Sequence, residues 1–131
     1  MADIKGNPVY LDSFRGNPVI IRFFVTDCKY CKADTSVFNE YFNKHKEDGL
    51  QILYITTTAD HKLVSNFSDD LQIPFPVIID QDAIVSKLYN IKIVPQTIIL
   101  SPDHKIVSAI LGGVGKAELE ELVGIYFNKQ Q

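Results

Sequence analysis

Residues 19–34, VIIRFFVTDCKYCKAD, decide the fold. Val19 to Val25 is β-branched and aromatic with almost no polar interruption, the pattern of a strand covered on both faces. From Lys29 to His45 the spacing changes to a helical stripe of Ala33, Val37, Phe38, Tyr41 and Phe42, with Gly49 after its end. The junction carries Cys28-Lys29-Tyr30-Cys31. Unpaired N–H groups at a helix start carry roughly half a positive charge. A thiol in that field ionises well below its usual ~8.5. Cys28 sits at the junction and Cys31 one turn inside, an offset that brings two sulfurs within reach of a small disulfide ring. Cys28 is therefore the attacking thiol and Cys31 the resolving one. Lys29 and Lys32 add positive charge beside Cys28, and Asp27 opposes them.

Working outward, Val9-Tyr10-Leu11 reads as a short strand before a turn at Gly16-Asn17-Pro18. Gln51–Thr56 (QILYIT) is a second buried strand. Asp60 can cap a helix with Leu63, Val64, Phe67 and Leu71 inward, and Phe75–Ile79 is a third strand. Asp82 can cap a short helix with Ile84, Val85, Leu88 and Tyr89 inward. Gln96–Leu100 and Lys105–Leu111, joined by Ser101-Pro102-Asp103-His104, form an antiparallel hairpin. Leu119, Leu122, Val123 and Tyr126 follow the spacing of a helix docked on a sheet. This order predicts an α/β fold with a mixed sheet, in one domain over residues 1–131.

Composition narrows the function. The 131 residues, 46% hydrophobic and 22% charged, suit one soluble domain with a sizeable core. Thirteen basic against sixteen acidic residues leave a net charge of −3, which argues against nucleic acid as a partner. Arg22 cuts the longest apolar stretch far short of a membrane span. The amino terminus shows no basic region followed by an apolar one, so the chain is either cytoplasmic or the mature form of a longer precursor.

Two cysteines have other uses. A structural disulfide in so short a loop removes little unfolded-state entropy. A closed zinc site takes four ligands, and His45, His61 and His104 are scattered along the chain. Two unrelated buried cysteines are the third alternative. The context favours a redox pair over each. Gly112-Gly113-Val114-Gly115 lacks the spacing of a phosphate loop and reads as a turn. Tyr30, between the cysteines, would shape substrate contact.

The segment FFVTDCKYCKAD resembles the active-site segment of thioredoxin-like proteins, and Ile93-Val94-Pro95-Gln96-Thr97 resembles their Val-Pro-X-Thr loop. Between them FPVIIDQDAIVSKLYNI exceeds a minimal thioredoxin by about one helix and one strand. With Asn7–Gly16 upstream, it is similar to the TlpA/ResA-like thiol–disulfide oxidoreductases. The resemblance implies a thioredoxin-like fold: a mixed sheet flanked by helices on both faces, with that helix-strand insertion before the proline loop. It implies Cys28 as nucleophile, Cys31 as resolving thiol, and Pro95 in cis beside them. Lacking an N–H, Pro95 leaves an edge where a substrate backbone could pair with Val94. Asp34 falls where relatives often carry a glutamate that influences cysteine ionisation. The implied activity is dithiol–disulfide exchange, more as a reductant than as an oxidant. Its partners are substrate proteins with disulfides or thiols and an upstream electron donor. The chain would act as a monomer in the cell envelope, with no cofactor or metal.

Three departures stand out. Asp27 occupies a position that is commonly Trp. Arg22 replaces a buried acid or Asn, and either pairs internally with Asp34 or snorkels to a sheet edge. The family's first strand, normally ahead of Asn7–Gly16, is either missing or upstream of this chain. Two rival activities share the fold. A peroxidase needs Thr or Ser and Pro upstream of one cysteine, which Thr26-Asp27-Cys28 does not supply. A metallochaperone would carry a Cys-X-X-X-Cys spacing.

Overall fold

The computed structural model describes residues 1–127. Its strands are β1 (Val19–Phe24), β2 (Gln51–Thr56), β3 (Val77–Ile79), β4 (Gln96–Leu100) and β5 (Ile106–Leu111). The helices are α1 (Lys29–His45), α2 (His61–Asp70), α3 (Ile84–Leu88) and α4 (Lys116–Val123). The sheet order is β3-β2-β1-β4-β5. β1, β2 and β3 run parallel, and β4 and β5 complete the sheet antiparallel. Every residue of β1 is buried, as its unbroken apolar run requires of a central strand.

Alternation along β1 divides the core. Ile20 and Phe24 point to a cluster with Phe38 of α1, Val64 and Phe67 of α2 and Leu119 of α4. Val19, Ile21 and Phe23 face Val85 and Tyr89 at α3, with Leu11 and Phe14 of the amino-terminal segment. Helices thus cover both faces, and β3 with α3 forms the insertion between α1 and the proline loop. Phe24 stacks on Phe67 with ring centroids 4.8 Å apart, which ties the end of β1 to α2. Gly49 closes the turn after α1 at φ +98°, where a Cβ would overlap the Asn17 side chain.

Several expectations are corrected. Val9–Leu11 is no strand: Ala2 and Pro8 form an isolated bridge, and Leu11–Phe14 is a 3-10 turn. There the Ser13 hydroxyl and N–H both donate to the Tyr10 carbonyl, drawing the backbone into a local turn. The third strand starts at Val77, because Pro74 and Pro76 cannot donate to a ladder. Asp80, not Asp82, holds α3. Its Oδ1 accepts from Val85 N–H at 3.0 Å, and its Oδ2 accepts from Ser86 N–H and Oγ–H at 2.8 Å each. Asp82 instead sits in the left-handed region at φ +60°. Ala33, Leu63, Ile84 and Leu88 are exposed rather than inward. Under α1 the buried positions go to Cys31, Thr35, Phe38 and Tyr41.

Candidate active site

β1 ends at Phe24, and three residues lead to Cys28, the N-cap of α1. An N-cap residue has extended backbone and offers its side chain to the free N–H groups of the first turn. Cys28 does this with sulfur: at φ −80° and ψ 116°, its Sγ accepts the Cys31 N–H at 3.1 Å. The two cysteines are joined as a disulfide, their Cα atoms 5.2 Å apart. Cys28 is half-buried and Cys31 is fully buried, so an incoming thiol or disulfide has access to Cys28 alone. Lys29 and Tyr30 extend into solvent around it. The helix terminus and the exposure fall where the spacing places them.

The proline loop lies at the same end of the sheet. Phe23 pairs with Gln96, and one further step of this register sets Pro95 beside Phe24. The Val94–Pro95 peptide is cis. Pro95 is buried, with its carbonyl accepting the Gly112 N–H at 2.9 Å. Among the described residues, no backbone hydrogen bond engages Val94. Ile93 beside it is exposed. On the opposite flank of Cys28 a cleft of about 420 Å³ runs from Asp27 and Lys32 to Leu63, Phe67 and Asp70 of α2.

Beneath α1, the sheet face holds a charge. The Arg22 side chain is completely buried, and its Nη2 lies 2.8 Å from Asp34 Oδ1. The guanidinium also sits over the Phe38 ring, 4.6 Å from its centroid. Asp34 Oδ2 accepts the Val114 N–H at 2.8 Å. Of the two readings of Arg22, the internal pair is the one the fold adopts. The glycine-rich segment, read as a turn, supplies Asp34 with this N–H. Two further residues escaped the sequence reading. Thr35 Oγ1 donates to the Cys31 carbonyl and lies 3.1 Å from the Tyr54 hydroxyl. Burial pushes the Tyr54 hydroxyl well above its ordinary range, with the Arg22 charge pulling the other way. The one signal for this chain was Thr35, four residues after Cys31 on the same helix face.

The profile of the AhpC/TSA family matches residues 1–109. The chain belongs to that family. Thiol-disulfide oxidoreductase ResA of Bacillus thuringiensis subsp. konkukian is 31% identical over 121 residues, spanning 92% of this chain and 70% of that protein. A thioredoxin domain of a Bacteroides vulgatus thiol-disulfide oxidoreductase superposes with a TM-score of 0.81 at 25% identity, over 93% of this chain and 90% of that one. A secreted Mycobacterium tuberculosis disulfide oxidoreductase, homologous to E. coli DsbE, gives 0.84 at 19% identity, over 95% and 92%. The fold is thioredoxin-like. With Cys28 and Cys31 in place, this family member is a thiol–disulfide oxidoreductase.

Proposed function

We propose that the chain works as a reductant of disulfides in partner polypeptides, with Cys28 attacking and Cys31 resolving. The Cys28 thiolate attacks one sulfur of the partner disulfide, forming a mixed disulfide and releasing the other partner sulfur as a thiolate. Cys31 then loses its proton and attacks Cys28 Sγ, releasing the second partner sulfur. Two electrons and two protons pass to the partner, which leaves as a dithiol while Cys28–Cys31 closes. An upstream dithiol donor reopens the ring by the reverse chemistry.

The observation that carries this reading is the asymmetry of the pair. Cys28 is half-exposed and capped by a helix N–H, and Cys31 is buried one turn inside. Asp27 next to Cys28 disfavours the thiolate, hence the dithiol form, and this supports the reducing direction. Tyr30 and Ile93, 69% and 65% exposed, offer apolar contact to a polypeptide near the sulfurs. The unpaired Val94 backbone offers it a strand edge. Lys29 assists as a local positive charge. One copy carries the complete site and acts as a monomer. The cell-envelope location rests on relatives such as the secreted mycobacterial protein.

The test uses a protein disulfide such as insulin, with dithiothreitol as donor. Wild-type protein accelerates reduction, Cys28→Ser abolishes the acceleration, and Cys31→Ser accumulates the mixed disulfide. Turnover by Cys28→Ser at the wild-type rate refutes the assignment of the nucleophile. Equilibration with glutathione tests direction: a potential below about −230 mV supports a reductant, and one near −120 mV makes the pair an oxidant.

A further inference from the structure

Arg22 is a full charge with no exposure to water, and burying a charge is costly unless it is paired. None of its three nitrogens makes a well-aligned hydrogen bond, and among the described residues Asp34, in ion-pair contact through Nη2, is the carboxylate that balances it. Asp34 commits both oxygens, one to Arg22 and one to the Val114 N–H. Asp34 stands three positions after Cys31 on α1, which makes them neighbours on the helix surface. An unbalanced carboxylate there would set a negative charge one turn from the pair whose reduced form carries a thiolate.

We infer that Arg22 is a positioning residue for the exchange, holding Asp34 in a buried ion pair that cancels the carboxylate's field at Cys28. This rests on the reading of Cys28 as the attacking thiol. A paired charge acts at a distance as a dipole, so the reduced site is tuned by the difference between two opposed charges. Removing either charge alone exposes the other, and removing both restores the balance. The charged or titratable groups facing Arg22 are Asp34 from α1 and Tyr54 from β2. β4 contributes the neutral Thr97, and the loop before α4 contributes the Val114 N–H. Asp27, Lys29 and Lys32 around Cys28, with Asp70 across the cleft, are common to all variants and cancel in the comparison.

The experiment follows iodoacetamide alkylation of the reduced protein from pH 4 to 10, with circular dichroism confirming the fold of each variant. Arg22→Met moves the alkylation midpoint up, Asp34→Asn moves it down by roughly one pH unit, and Arg22→Met/Asp34→Asn returns it towards wild type. If Arg22→Met does not fold, Asp34→Asn and the double variant still decide, because asparagine keeps an oxygen facing Arg22 and the double variant leaves no charge at this site. A double variant that stays at the Asp34→Asn midpoint overturns the inference, as does an unmoved midpoint in Asp34→Asn. Peptide mapping of the labelled cysteine keeps the two readings apart. First labelling at Cys31 overturns the nucleophile assignment and this inference with it, whereas first labelling at Cys28 with unordered midpoints overturns this inference alone.

Discussion

The cap that Cys28 provides has a measurable stability, and replacing that residue in two ways isolates it. Cys28→Ser and Cys28→Ala both remove the disulfide. By the chain-entropy relation, a ring closed over residues 28–31 constrains the unfolded chain by about 2 kcal/mol, so both variants fall by that much. They differ in one contact. A serine hydroxyl takes over the Cys31 N–H that Cys28 Sγ accepts at 3.1 Å, and alanine leaves that N–H without a side-chain partner. An N-cap hydroxyl is worth ~1 kcal/mol over alanine. For a domain of 131 residues this corresponds to about 4 °C in Tm. The expected order is oxidised wild type, then Cys28→Ser, then Cys28→Ala, at about 0, −2 and −3 kcal/mol. Urea unfolding of the two variants under identical reducing conditions reads the last step directly. If Cys28→Ala matches Cys28→Ser within about 0.3 kcal/mol, position 28 does not cap α1. The argument that the same N–H stabilises a thiolate there falls with it.

Two further outcomes follow from buried polar groups. Burial raises the hydroxyls of Tyr54 and Tyr41, with Glu120 adding to the second, so the folded state holds both neutral beyond the ordinary value of 10.0. Their contribution is complete below about pH 10 and is lost as pH rises further, because the unfolded chain releases those protons first. Tyr41→Phe/Tyr54→Phe should lose less stability between pH 9 and 11 than wild type in urea titrations, and equal losses would show that neither hydroxyl sets the alkaline limit. Asp80→Ala removes the acceptor of three hydrogen bonds at the start of α3. Leaving those buried donors unpaired should cost roughly 2–3 kcal/mol, against a smaller loss for Asp80→Asn; a drop below about 1 kcal/mol in Asp80→Ala means that water replaces the carboxylate.

The reaction uses little of the molecule, and the rest of the fold sets its terms. β1 delivers the loop to the helix terminus, Pro95 arrives beside it through the β1–β4 register, and α2 walls the opposite flank. Asp27 sets an exposed carboxylate next to Cys28.

Features governed by neighbours a few residues apart were legible in the chain itself. The apolar run of β1, the bounds of α1, the Asp60 cap and the β4–β5 hairpin each depend on local periodicity or capping, and the structure has them all. Which cysteine stands at the helix start was also readable, and Cys28 is the N-cap of α1. Local reading also failed in places: Asp80 rather than Asp82 holds the five-residue α3, and Ala33, Leu63, Ile84 and Leu88 lie on the exposed faces of α1, α2 and α3. Other features belonged to tertiary structure alone. Whether Arg22 would turn to an edge or inward depended on which helix crosses its face of β1, and α1 brings Asp34 and Phe38 there. Tyr54 meets Thr35, and Val114 meets Asp34, only once the sheet order aligns β2 and the loop before α4 against α1. Periodicity specifies which face of an element is apolar. A buried charge or hydroxyl finds its partner across elements, so that partner is decided by packing.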